Sequence, residues 1–139
     1  MANDLFSTAR DAFLGGEIDW ADGGATVTVA ALSSTLDSTD LATMGFADEL
    51  SDVEDTATVS GRAILPGGIA DADDTSFASV GVGVTIVAIA IYLDTGTPAT
   101  SQLIAYADTN DDSTPMSRTS TGAAIPLLWS NSTNRVFRL

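Results

Sequence analysis

Apolar positions along this chain show two textures. Leu5, Phe6, Ala9, Ala12 and Phe13 recur at helical spacing behind Asn3 and stop at Gly15-Gly16, which predicts one amphipathic helix over residues 4–14 capped by Asn3. From residue 17 onward, short runs of β-branched and small residues are separated by Gly, Asp, Ser and Pro. That spacing predicts an antiparallel β-sandwich or small barrel, with strands over residues 17–20, 26–32, 56–65, 75–80, 82–93, 102–107, 125–129 and 136–139. Thr26, Thr28 and Ala30 alternate with Val27, Val29 and Ala31, so this strand is expected to turn one face to water and one to the core. Val84, Ile86, Val87, Ile89 and Ile91 do not alternate; their strand is expected to be buried on both faces, as the spine of the core. Residues 33–55 carry Leu41, Met44, Phe46 and Leu50 among many acids and read as a long connection with a helical turn, a first candidate for a contact loop. No repeat and no linker divides the chain. Residues 1–139 therefore read as one mainly β domain, a helical segment over 1–16 followed by a β domain over 17–139.

Composition narrows the chemistry more than the fold. With 139 residues, 45% of them apolar, the chain can build a core without covalent staples. Five arginines and no lysine face 19 acids, all aspartate except Glu17, Glu49 and Glu54, for a formal charge of -14. Such a surface repels phosphate, so no nucleic-acid partner is expected. The chain has neither cysteine nor histidine, which removes disulfides, thiolate and imidazole metal ligands, and Ser-His or Cys-His nucleophile pairs. Aspartate-rich, lysine-free surfaces resemble those of proteins from salt-loving organisms, where the Debye length shrinks to about 3 Å at 1 M salt and self-repulsion is suppressed. A halophilic protein is the expectation, with stability lost below about 1 M salt; the alternative is an acidic mesophilic protein whose charge keeps it soluble. The opening Met1-Ala2-Asn3-Asp4-Leu5-Phe6 carries acid where a secretory leader carries base, so no cleaved leader is expected. The apolar run over residues 80–93 is interrupted by Gly81, Gly83 and Thr85 and is short of the roughly 20 residues of a membrane helix, so no membrane partner is expected either.

Three constellations carry candidate chemistry. Asp94-Thr95-Gly96 follows an apolar strand and resembles the catalytic turn of retroviral-type aspartic proteases, in which two carboxylates share one proton. However, Thr97-Pro98 follows and no second apolar-apolar-Gly element appears, so an ordinary hairpin turn is the expectation. Asp71, Asp73 and Asp74 form one acidic cluster, and Asp108, Asn110, Asp111 and Asp112 another. The second imitates an EF-hand opening but has Ser113 where glycine is needed and Thr119 where the bidentate glutamate belongs. Solvated turn acids are expected at both, with no metal and no cofactor. Trp20, Tyr92, Tyr106 and Trp129 offer a sugar-stacking platform for a carbohydrate-binding module, or else core and interface anchors, which is the expectation. Arg62, Arg118, Arg135 and Arg138 are each expected to pair with a carboxylate.

The second half of the chain resembles a family of small virion structural proteins of tailed phages. The residues that carry the resemblance are Asp71-Ala72-Asp73-Asp74-Thr75-Ser76-Phe77; Ile91-Tyr92-Leu93-Asp94-Thr95-Gly96-Thr97-Pro98-Ala99-Thr100-Ser101-Gln102-Leu103-Ile104-Ala105-Tyr106; and the close Trp129-Ser130-Asn131 with Arg135-Val136-Phe137-Arg138-Leu139. The opening helix followed by Gly16-Glu17-Ile18-Asp19-Trp20 fits as well. The resemblance is weakest over residues 33–55, and the chain departs from the pattern in lacking lysine and in residues 113–122, which replace a glycine-rich stretch. It implies no catalytic residue. It implies a virion component assembled in the host cytoplasm: a capsid decoration or cement protein, or else a neck, turret or tail piece, of a bacteriophage or archaeal virus. The implied partners are the major capsid protein or other virion proteins, with many copies per particle or a homo-oligomer. Contact candidates are Phe6 and Phe13 on the helix, Leu41, Met44 and Phe46 on the long connection, and Arg135, Val136, Phe137, Arg138 and Leu139 in the tail, where a strand can pair at a sheet edge. The alternative for helix and tail is that they complete the protomer's own core.

Overall fold

A computed structural model describes residues 3–131 and 135–139; Met1 and Ala2, at the start of the predicted helical segment, lie outside them. The elements run β1 (Asp4–Leu5), α1 (Ser7–Gly15), β2 (Thr26–Leu32), α2 (Ser38–Thr43), β3 (Val53–Thr58), β4 (Ala63–Leu65), β5 (Ile69–Asp71), β6 (Thr75–Phe77), β7 (Thr85–Ile86), β8 (Ala88–Asp94), β9 (Gln102–Ala107), β10 (Arg118–Thr119), β11 (Ile125–Leu127) and β12 (Phe137–Arg138). The protein is mainly β, with several antiparallel sheets and one short N-terminal helix, as the hydrophobic pattern predicts. The main sheet has the order β1-β9-β8-β2-β3 and is open, not a closed barrel. Three smaller sheets, β6 with β11, β7 with β10, and β4-β5-β12, complete a sandwich-like arrangement.

The register fixes two faces of the main sheet, because residues paired across antiparallel strands share a side. Val27, Val29 and Ala31 pair with Leu93, Ile91 and Ile89 on one; Thr28, Ala30 and Leu32 pair with Tyr92, Ala90 and Ala88 on the other. Ile89 and Ala107 on the first face line one cleft with Phe77 and Ile125 of the β6–β11 sheet and Ile86 of the β7–β10 sheet, so these two small sheets lie over this side. The second face carries Tyr106, opposite Ala90. Here the prediction of a wet face on residues 26–32 fails: Thr28, Ala30 and Leu32 are all buried. Residues 33–50 fold back over this side, anchored where the Leu36 N–H donates to the Tyr106 hydroxyl at 3.0 Å. Thr28 tolerates burial because its hydroxyl donates to Asp94 Oδ2 at 2.8 Å. The expected spine is buried on both faces over Ala88–Ile91, but it is not one strand. It breaks at Val87, whose N–H donates to Leu32 O at 2.9 Å, and β7 and β8 enter different sheets.

Other boundaries move for local reasons. Asn3 does not cap the helix; its Oδ1 accepts from the N–H groups of Asp108 and Thr109, both at 3.1 Å, and it closes the end of β9 instead. Asp4 and Leu5 then pair with Tyr106 and Ala105, and the helix begins only at Ser7. Its stop is the predicted one: Gly16, at φ 75°, donates back to Ala12 and Phe13. Residues 17–20 form no strand, since the N–H groups of Glu17 and Ile18 turn back to Ala12 O. The strand predicted over 56–65 divides into β3 and β4 at Gly61, which sits at φ 61° against the Asp73 carboxyl, where a Cβ would collide. The strands predicted over 75–80, 125–129 and 136–139 shorten to β6, β11 and β12, whereas β1, β5 and β10 were not predicted. The helical turn expected in residues 33–55 is α2, with a capping box between Asp37 and Asp40, followed by a 3₁₀ turn over Ala47–Glu49.

Candidate interaction surface

Packing divides the contact candidates. Phe6, Leu41, Met44 and Phe137 are buried in the protomer's core, which withdraws them from any contact the folded chain makes. Phe13 is half-buried, and its ring lies 5.7 Å from that of Phe137; Trp20 meets the same Phe137 edge-on at 4.9 Å. The helix and the tail candidates are therefore each other's partners, and this aromatic contact ties the two ends of the fold together. Arg135 and Val136 are half-buried, while Phe46, Arg138 and Leu139 are exposed. Phe46 stands beside a carboxylate clamp: Glu49 accepts from the N–H groups of Gly45 and Phe46 at 2.6 and 2.8 Å. Those bonds hold the Glu49 carboxyl below its ordinary pKa. Hydrophobic periodicity missed Leu14, Ile64, Val82 and Leu128, which are all well exposed. A signal existed for two of them, since Leu14 abuts Gly15-Gly16 and Val82 stands between Gly81 and Gly83, where turns lift side chains off the core.

The arginines do not behave as a set. Arg135 pairs with Asp71 at 3.4 Å, and Arg10 pairs with Asp4. Arg62 departs from the expectation: its Nη2 donates to the carbonyls of Asp22 and Ala25, and its guanidinium lies 5.9 Å from the Trp20 ring centroid. Arg118 and Arg138 have no carboxylate ion-pair partner among the described residues. Arg118 is exposed and lines a cleft of about 450 Å³, whose apolar wall includes Phe77, Ile86, Ile125, Leu127 and Trp129. Arg135 and Asp111 also line it. The cleft joins segments distant in sequence, so periodicity could not find it. The signal available was Arg118 itself, a rare cation beside Met116 in an acidic chain.

The strings that imitate catalytic or metal sites are folded as turns. Asp94 ends β8; its Oδ1 accepts from the Gly96 N–H at 2.8 Å, Gly96 has φ 83°, and a 3₁₀ turn over Pro98–Thr100 leads into β9. Among the described residues, no three carboxylates converge as a metal site would need. Asp112 accepts from the hydroxyl and the N–H of Thr114, which lowers its pKa. Asp74 accepts from the Trp129 N–H at 2.8 Å, and Asp108 is buried and accepts from the Tyr106 hydroxyl at 3.1 Å. Trp20 and Tyr106 are buried and Trp129 and Tyr92 half-buried, so these four aromatics form no exposed platform. The indoles of Trp20 and Trp129 each donate to a backbone carbonyl, of Asp71 and Asp73 respectively.

These features define a mainly β protein with an open five-stranded antiparallel sheet, an acidic surface whose carboxylates are often held in turns, and one arginine-edged apolar cleft. No family model matches the chain, and no curated protein matches it.

Proposed function

We propose that this chain is a non-enzymatic structural protein of a tailed-virus particle, a capsid decoration or cement protein that binds the assembled shell in many copies. The observation that carries this reading is where the resemblance falls. The longest resembling stretch, residues 91–106, is the β8–β9 hairpin at the centre of the main sheet, and the resembling close supplies β12 with Phe137, which packs on Trp20 and Phe13. The likeness thus lies on residues that determine the fold, and exposed Phe46, Arg138 and Leu139 remain for contact. A decorating protein stabilises by mass action: it binds the assembled shell and not its dissociated subunits, so its binding free energy adds to the assembled state alone. The charge of -14 suits a halophilic host, because salt screens repulsion between neighbouring copies.

The test is reconstitution on particles that lack the chain. Adding the purified protein raises the temperature at which the shell opens, saturably and with many copies bound. An unchanged opening temperature with no binding contradicts decoration, and binding confined to the portal or tail end moves the protein to the neck, turret or tail.

A further inference from the structure

The cleft edged by Arg118 has a floor, a charge and an adjoining strand edge, and together they describe an occupant. Resting on the structural-protein reading above, we propose that the cleft receives an extended segment of the partner protein that presents one apolar side chain beside one carboxylate, the carboxylate meeting Arg118. The apolar part follows from half-buried Met116, Leu127 and Trp129 and exposed Leu128, which line the cleft above the buried Phe77, Ile86 and Ile125 and leave water in contact with hydrocarbon until something covers it.

The carboxylate follows from Arg118. It pairs with Ile86 across the β7–β10 ladder, so its side chain leaves the ribbon on the face that Ile86 buries. In a chain with 19 acids it has no carboxylate partner among the described residues, and a guanidinium next to apolar surface favours a planar two-oxygen acceptor. The number of charges is limited. Arg135, also in the lining, is already paired with Asp71, and Asp111 adds a negative charge to the cleft. One carboxylate fits, and a run of them is repelled.

The extended conformation follows from the edges. Among the described residues β10 pairs only with β7 and β11 only with β6, and Arg118 of β10 and Leu127 of β11 both line the cleft. An incoming strand can add beside the pocket along β10, which is recognition by strand addition, whereas Pro126 at the centre of β11 has no N–H and makes that edge the poorer template.

The test uses the ¹⁵N-labelled protein and the blocked peptide Ac-Thr-Val-Thr-Asp-Thr-NH₂, whose Val and Asp share one face when extended, with its Asn counterpart and octanoate as comparisons. The Asp peptide is expected to shift amides at Arg118, Ile125 and Trp129 and to bind roughly fivefold tighter than the Asn peptide, as one partly exposed charge-assisted contact provides. Arg118→Gln is expected to abolish that preference, and Arg118→Lys to restore part of it. Equal binding of the two peptides, or shifts confined to other surfaces, overturns the proposal. Octanoate binding where neither peptide binds also overturns it and assigns the cleft to a free apolar acid. Particles separate this inference from the reading beneath it. If the wild-type chain is absent from them, the structural reading fails; if it is present and Arg118→Gln is incorporated equally while no peptide binds, only the cleft proposal fails.

Discussion

Tyr106 joins three segments through one oxygen: it accepts from the Leu36 N–H at 3.0 Å, donates to Asp108 at 3.1 Å, and sits on β9. Burial pushes its pKa up to about 12, with the Asp108 charge adding and the Leu36 bond opposing. A group whose pKa rises on folding favours its protonated form in the folded state. Its contribution is therefore complete below the unfolded value near 10 and is lost as pH rises from there through about 12. Tyr106→Phe takes the acceptor from the Leu36 N–H and one of the donors from the buried Asp108 carboxylate, and urea unfolding at pH 7 should show a loss of about 1–3 kcal/mol. The variant should also lose less stability than the wild type between pH 10 and 12, the window of that shift. Glu49 works in the opposite sense. Its pKa is lowered by the Gly45 and Phe46 N–H groups, so its contribution is present above its unfolded pKa and lost as pH falls through the folded one. Glu49→Gln should lower the melting temperature at pH 7 and make the decline below about pH 4.5 shallower. A decline as steep as that of the wild type contradicts the clamp.

At the level of elements, Gly61 separates β3 from β4, and both its left-handed φ of 61° and the nearby Asp73 carboxyl exclude a Cβ. Gly61→Ala should cost at least about 1–2 kcal/mol in denaturant unfolding. The strands that periodicity located correctly, β2 and β9, are long and lie inside the main sheet. Their apolar residues are close together in sequence, so the pattern was readable. What periodicity missed was the short strands β1, β5 and β10 and the second covered face of β2, because β1 and β10 pair, and that face is covered, only through segments distant in sequence. Asn3 shows the same limit: it has the chemistry of a helix cap, but residues 108 and 109 take its carbonyl oxygen. Of the contact candidates, Phe46 stayed exposed because Glu49 clamps its turn at the surface, whereas Phe13 and Phe137 found each other. Deleting residues 136–139 should accordingly destabilise the protomer, by at least the roughly 1.5–3 kcal/mol that burying one Phe contributes. A truncated chain with an unchanged melting temperature would return the tail to the contact surface.

Across the whole molecule, electrostatic repulsion prevails, since five arginines face 19 acids. Some of those acids are used locally, as Asp37, Asp74, Asp94 and Asp112 are in accepting from backbone N–H groups, so aspartate here is partly turn chemistry. The surplus still repels. On the proposed halophilic reading, unfolding free energy should rise between 0.1 M and about 3 M KCl as the Debye length falls from about 10 Å to below 3 Å. A flat response would make the protein an ordinary acidic one. The most direct test of the central claim is a copy count by quantitative mass spectrometry on purified virions, separated into capsid and tail fractions, with the major capsid protein as internal standard. Decoration predicts hundreds of copies in the capsid fraction, on the order expected for a closed symmetric shell. A ring-like handful of copies in the tail fraction, or none in virions, would contradict it.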